Sequence, residues 1–128
     1  MGPFGPFRIS GRPGVPATAG LRPWQKLVRE QVAPSWGSRP PVSSPVRMDI
    51  RFFLEPQRLR DTDIDNLIKG FFDSLAGTVF PRNPRGKSEW DADDVWVYRV
   101  TAEKLAARVP EDLGAEFEIV EYAQNEEL

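Results

Sequence analysis

The sequence predicts a single small α/β (α+β) domain, a mixed β-sheet with two helices in the order β-α-β-α-β-β. Three observations carry this expectation. Val46, Met48, Ile50 and Phe52 alternate with Arg47, Asp49 and Arg51, the period of a half-buried strand. Ile64, Leu67, Ile68, Phe71, Phe72 and Leu75 recur at helical spacing and form one continuous apolar stripe. The 128 residues, 40% hydrophobic and 11% aromatic, suffice for one modest core, and residues 1–128 read as one domain without internal repeats.

The elements follow in order. Phe4 to Ile9 is a short strand interrupted by Pro6, and Gly11 to Leu21 is a Gly- and Pro-rich loop. Pro23 suits the first position of a helix, and Trp24, Leu27, Val28, Gln31 and Val32 continue it to about Ala33, before Pro34. Residues 34–45 are a Pro- and Ser-rich loop, and Arg47 to Leu54 is the second strand, ended by Pro56. The best helix begins at Ile64 and is stopped by Gly77. A long loop follows, then a strand at Val95 to Val100. A connection from Leu105 to Gly114 contains a helical turn, and a last strand spans Phe117 to Tyr122.

Composition narrows the chemistry. The chain has no cysteine and no histidine, which excludes disulfides, thiolate nucleophiles, Cys or His zinc sites and any serine triad with a histidine base. An enzyme built from this chain works with carboxylates, lysine, a hydroxyl or a hard metal ion such as Mg²⁺, Mn²⁺ or Ca²⁺. No stretch approaches the roughly 20 apolar residues that cross a membrane. Met1 to Gly14 lacks the apolar core of a secretory signal, so a soluble cytoplasmic protein is expected.

Net charge is −2, but it is unevenly spread. Residues 111–128 carry seven acids and no base, so residues 1–110 hold all 17 Lys and Arg against 12 acids, a net of +5. A basic body suits a nucleic-acid partner, whereas the acidic end, with its tail at 123–128, reads as a solvated terminus.

The informative segment is Asp61-Thr-Asp-Ile-Asp-Asn-Leu-Ile-Lys69. With Ile64 at 0° and about 100° per residue, Asp65, Lys69, Asp73 and Asn66 fall in a row at roughly 100°, 140°, 180° and 200°, opposite the apolar stripe. Asp63 lies at or just before the first turn. Two carboxylates side by side repel unless a cation lies between them, the physical case for a metal. The bland alternative is helix capping, which one Asp satisfies but three acids at alternating positions exceed. An EF-hand fails, because its required Gly and Glu are replaced by Asn66 and Phe72.

A second acidic group, Asp91-Ala-Asp93-Asp94, precedes the strand at Val95, either as a solvated turn or as the source of a third metal ligand. Lys69 can stabilise anionic charge beside the metal, or serve only as an i, i+4 partner of Asp65 or Asp73. Arg58, Arg60, Arg82, Arg85 and Lys87 flank the acids and are candidates to hold a DNA backbone. Loop 78–92, which carries the last three, is expected to be a mobile DNA-contacting element outside the core, with Phe80 and Trp90 pinning its ends or Trp90 stacking on an exposed base.

Asp63-Ile-Asp65-Asn66-Leu67-Ile68-Lys69, followed by Phe72-Asp73-Ser74-Leu75, resembles the D-x-D-N-L-x-K…D-x-L signature of RusA-family Holliday junction resolvases. Asp93-Asp94 and Lys104 fit that family's acidic pair opening a strand and the lysine at the strand's end. Phe7-Arg8-Ile9-Ser10-Gly11-Arg12-Pro13 resembles its opening strand and G-x-P turn. The resemblance spans roughly residues 7–122 and implies a RusA-like fold. It also implies a homodimeric endonuclease, dependent on Mg²⁺ with Mn²⁺ as a substitute, that nicks four-way DNA junctions. By match, Asp63, Asp65 and Asp94 are the metal-binding acids and Lys69 the essential basic residue. Asp93 or Asp91 competes for the third place, because the loop after Gly77 is longer than in compact members. Two other functions stay open: a branched-DNA-binding protein without catalysis, and an interaction protein whose acids are only caps.

Overall fold

The computed structural model describes residues 4–123. Residues 124–128, nearly all of the acidic tail at 123–128, lie outside the described residues. The order of elements is β1 (Phe4–Ser10), α1 (Leu21–Trp36), β2 (Val46–Leu54), α2 (Ile64–Ser74), β3 (Val97–Ala106) and β4 (Gly114–Glu121), which is the predicted order. Two single 3₁₀ turns, Pro56–Arg58 and Pro110–Asp112, punctuate the connections.

The four strands form one mixed sheet in the order β1-β4-β2-β3. β4 is antiparallel to both β1 and β2, and β3 runs parallel to β2. Along β2 the predicted alternation holds: Val46, Met48, Ile50, Phe52 and Leu54 are buried while Arg51 is exposed. Ile9, Phe117 and Ile119 extend that dry face across the sheet, and Trp24, Val28, Val32, Leu67, Phe71 and Leu75 close over it from the two helices. Each such side chain contributes about 1.5–3 kcal/mol by burial. Phe71 meets Phe52 at 5.8 Å and Phe117 at 5.1 Å, both edge-on, which seats α2 and turns its polar face to solvent. Gln25, itself buried, donates to the Gly70 carbonyl at 3.0 Å and ties α1 to α2.

Several boundaries differ from the sequence reading. α1 starts at Leu21 and passes through Pro34 to Trp36. Pro34 lies in the last turn, where it interrupts little of the hydrogen-bond ladder. Trp36, buried against Phe4 at 5.6 Å, gains apolar contact by extending the helix. β3 is longer than Val95 to Val100 and begins two residues later. It is an edge strand, so the parallel register Arg47↔Arg99 through Leu54↔Ala106 can define it without an apolar alternation. β4 starts at Gly114 because two small residues, Gly114 and Ala115, let it lie close to β1.

The long loop is also corrected. Val79 and Phe80 belong to the core, and Trp90 is buried, so loop 78–92 is not outside it. Phe80 stacks edge-on with Phe72 at 5.4 Å, and Arg29 and Arg22 lie over the Trp90 ring at 3.7 and 4.8 Å. Both aromatics therefore pin the loop, while the segment Arg82 to Glu89 between them is exposed.

Candidate active site

α2 presents the acidic motif at its N-terminal end. Asp63 is the N-cap residue, in extended conformation, yet its side chain makes no capping hydrogen bond. Capping is thus not what this carboxylate does. Asp65 lies in the first turn, and its Oδ1 accepts only the adjacent Asn66 N–H at 3.0 Å. Both aspartates are exposed. Lys69, one turn further, is exposed and makes no close ion pair among the described residues, although its charge acts on Asp73.

The approach to Asp63 is held from a distance. The Lys104 ammonium, half-buried on β3, donates to the Leu59 carbonyl at 2.6 Å and to the Thr62 carbonyl at 2.8 Å. Thr62 N–H in turn donates to the Arg58 carbonyl at 3.1 Å. The Arg58 guanidinium donates to the Pro13 carbonyl at 2.8 Å and to Glu55 at 3.4 Å. Arg58 is therefore a brace inside the fold, a correction to its expected place among DNA contacts. Burial works to raise the Glu55 carboxyl, but Arg12 at 2.7 Å, aided by Arg58, outweighs it and holds Glu55 below the usual carboxylate range. Arg60, Arg82, Arg85 and Lys87 are exposed and make no ion pair among the described residues.

The second acidic group sorts itself by hydrogen bonding. Asp91 Oδ2 accepts the Lys87 and Ser88 amides at 2.7 and 3.1 Å, so this carboxylate organises the loop. Asp93 Oδ1 accepts the Val95 N–H at 3.3 Å. Asp94 is exposed, yet desolvation pushes its carboxyl up, against its own backbone amide and with the help of neighbouring Asp93.

Sequence reasoning set one further acid, Asp73, in the polar row of this helix but gave it no part in the site. Asp73, on the polar face of α2, accepts the Ala92 N–H at 3.5 Å. Its carboxyl is pushed up chiefly by desolvation, with the negative charges of Asp91 and Asp94 adding to the rise and the Ala92 amide and Lys69 opposing it. The structure thus brings Asp73, Lys69 and the 91–94 stretch into one electrostatic neighbourhood. The available signal was the i, i+4 spacing of Lys69 and Asp73.

Oxygen donors on a solvent-facing helix end fit a hard divalent cation in kind, and among the described residues neither Asp63 nor Asp65 makes an ion pair. Among the described residues, no three acidic side chains come together into a group that could hold a metal ion. Mg²⁺ does not require one, since it commonly uses one or two carboxylates, several waters and the substrate's phosphates. The end of α2 is open, which suits a polymer better than a small molecule. The depression on the opposite sheet face, lined by Asp49, Arg51, Glu103, Glu116 and Glu118, is predominantly acidic and would repel phosphate.

The fold and this helix define a small α+β domain whose exposed helix end presents carboxylates and a lysine. The sequence model of the family Endodeoxyribonuclease RusA matches residues 7–113, and the chain belongs to that family. It is accordingly a nuclease-family protein whose partner is DNA. No curated protein and no solved structure matches the chain at a meaningful level. No helix is long and apolar enough to cross a membrane among the described residues.

Proposed function

We propose that this protein is a Mg²⁺-dependent, structure-selective endonuclease that hydrolyses phosphodiester bonds in branched DNA and resolves Holliday junctions during recombination and repair. One observation carries the reading: an uncapped, unpaired aspartate pair opens α2 one turn before an unpaired lysine, in a chain of this nuclease family. Asp63 and Asp65 would hold the ion; Asp94, since Asp91 and Asp93 accept loop amides, is the acid that would have to move in to complete a group of three not assembled among the described residues. A bound Mg²⁺, or Mn²⁺ in its place, supplies Lewis-acid chemistry: it lowers the pKa of a water and offsets charge developing on the phosphate. Lys69 places an ammonium beside that charge. Arg60, Arg82, Arg85 and Lys87 grip the DNA backbone and set its register without reading sequence. Paired cuts across a four-way junction call for two sites related by a two-fold axis, hence a homodimer, acting in the cytoplasm where DNA is accessible.

The absence of a three-carboxylate group among the described residues favours one second reading, a branched-DNA-binding protein without catalysis. Incubation of the protein with a labelled four-way junction, with and without Mg²⁺, separates the two. Paired nicks that require Mg²⁺ are expected. Tight junction binding with no cleavage at any Mg²⁺ or Mn²⁺ concentration would select the second reading.

A further inference from the structure

We propose that Lys104 is a positioning residue for the proposed metal site: it clamps the Leu59–Thr62 segment so that Asp63 and Asp65 face the ion and the phosphate. The inference rests on the nuclease reading above. Neither aspartate is oriented by a long-range side-chain contact, since Asp63 makes no capping bond and Asp65 meets only the next amide. Their placement therefore depends on the path of the backbone into α2. That path is exposed at Arg60, Asp61 and Asp63, and such a segment moves unless something holds it.

Lys104 is 42 and 45 residues away in sequence from the two carbonyls it grips. Its ammonium makes no ion pair with a carboxylate among the described residues, so its charge is spent on two carbonyl dipoles. Charge-assisted bonds of this kind are the stronger sort, and they end on Thr62, the residue directly before Asp63. Lys104 stands opposite Phe52 in the β2–β3 register, so the clamp is anchored on the sheet beside the core. Residues that orient metal ligands typically change metal affinity about 10- to 100-fold when removed.

The test compares wild type, Lys104→Met, which keeps the aliphatic stem without donors, and Lys104→Arg, which keeps the charge. Amide hydrogen exchange of residues 59–63 is measured on the protein alone, Mn²⁺ affinity by electron paramagnetic resonance, and junction cleavage against Mg²⁺ concentration. Lys104→Met should exchange those amides faster, weaken Mn²⁺ binding about tenfold or more and raise the Mg²⁺ midpoint by a similar factor. Lys104→Arg should recover most of each. Faster exchange with wild-type Mn²⁺ affinity would overturn the proposal, because the tie would then be structural only, and so would no change in either. If Lys104→Met melts below the assay temperature, Lys104→Gln, which replaces the ammonium by a neutral amide, is read in the same way. If wild type shows no Mn²⁺ binding that Asp65→Asn removes, the nuclease reading fails. In that case faster exchange in Lys104→Met shows a structural tie without a metal role, and unchanged exchange removes the tie as well; both overturn the proposal.

Discussion

Asp65 lies in the first turn of α2 with a carboxylate that serves no capping role beyond its neighbour's amide. Replacing it with Asn keeps the shape and removes one charge. Asp65→Asn should reduce junction cleavage in Mg²⁺ by about 100-fold or more, the scale of several kcal/mol of lost charge stabilisation. Binding of the junction by gel shift should stay near wild type. Cleavage at the wild-type rate would remove Asp65 from the site. Asp73 gives a different, pH-linked expectation. Desolvation, reinforced by Asp91 and Asp94, raises its carboxyl in the folded state. Folding therefore favours the protonated form. That contribution is complete below the ordinary carboxylate range near pH 4 and is lost as pH rises through the elevated folded value. Asp73→Asn can still accept the Ala92 amide and carries no charge to desolvate. Its Tm should match wild type near pH 3 and exceed it by about 1–3 °C at pH 7. A difference independent of pH would show that Asp73 is not strained by its charge.

At the level of elements, the β1–β4 pair depends on one glycine. Gly114 has φ +150°, and a Cβ there would stand 1.9 Å from the Ile9 carbonyl oxygen on β1. Backbone cannot yield as a flexible side chain does. Gly114→Ala should cost about 2–4 kcal/mol in chemical denaturation through strain and a displaced strand. A loss below 1 kcal/mol would mean that β1 lies less tightly on β4. The long loop should behave in the opposite way. Its scaffold is made of backbone amides caught by Asp91, of the buried Phe80 and Trp90, and of Gly86, whose Cβ would meet Asp91 at 2.5 Å. The side chains of Arg82, Arg85 and Lys87 take no part in that scaffold. Changing all three to Ala should weaken junction binding and flatten its salt dependence, with Tm shifted by no more than about 2 °C. A triple variant that binds normally but melts much earlier would make the loop's charges structural.

For the whole molecule, charge distribution matters more than net charge. Of the acids of residues 111–121, Glu116, Glu118 and Glu121 lie on β4, with Glu116 at 3.7 Å from Arg51, whereas Glu111 and Asp112 are exposed in the preceding 3₁₀ turn. Arg60, Arg82, Arg85 and Lys87 remain unpaired among the described residues, on the connections around α2. Junction affinity should therefore fall steeply with salt. Neutralising about four phosphates gives a log–log slope near −3 to −4. Affinity that stays flat between about 50 and 200 mM salt, a range over which the Debye length roughly halves, would point to a partner other than nucleic acid.

The sequence by itself determined the number and order of elements, the dry face of β2 and the polar face of α2. It also determined the aspartate pair with its lysine, because all of these sit within one strand or one helix, where the backbone period converts spacing directly into direction. Tertiary structure alone decided that Lys104 holds the entry to Asp63 and that Arg58 is a brace. It alone brought Asp73 beside Ala92, and it carried β3 on to Ala106 along β2. Each of these joins polar groups across 19 to 45 residues or follows a neighbouring strand's register. Periodicity records which face of an element avoids water. It carries no record of which distant carbonyl or amide that element will meet once the core has closed.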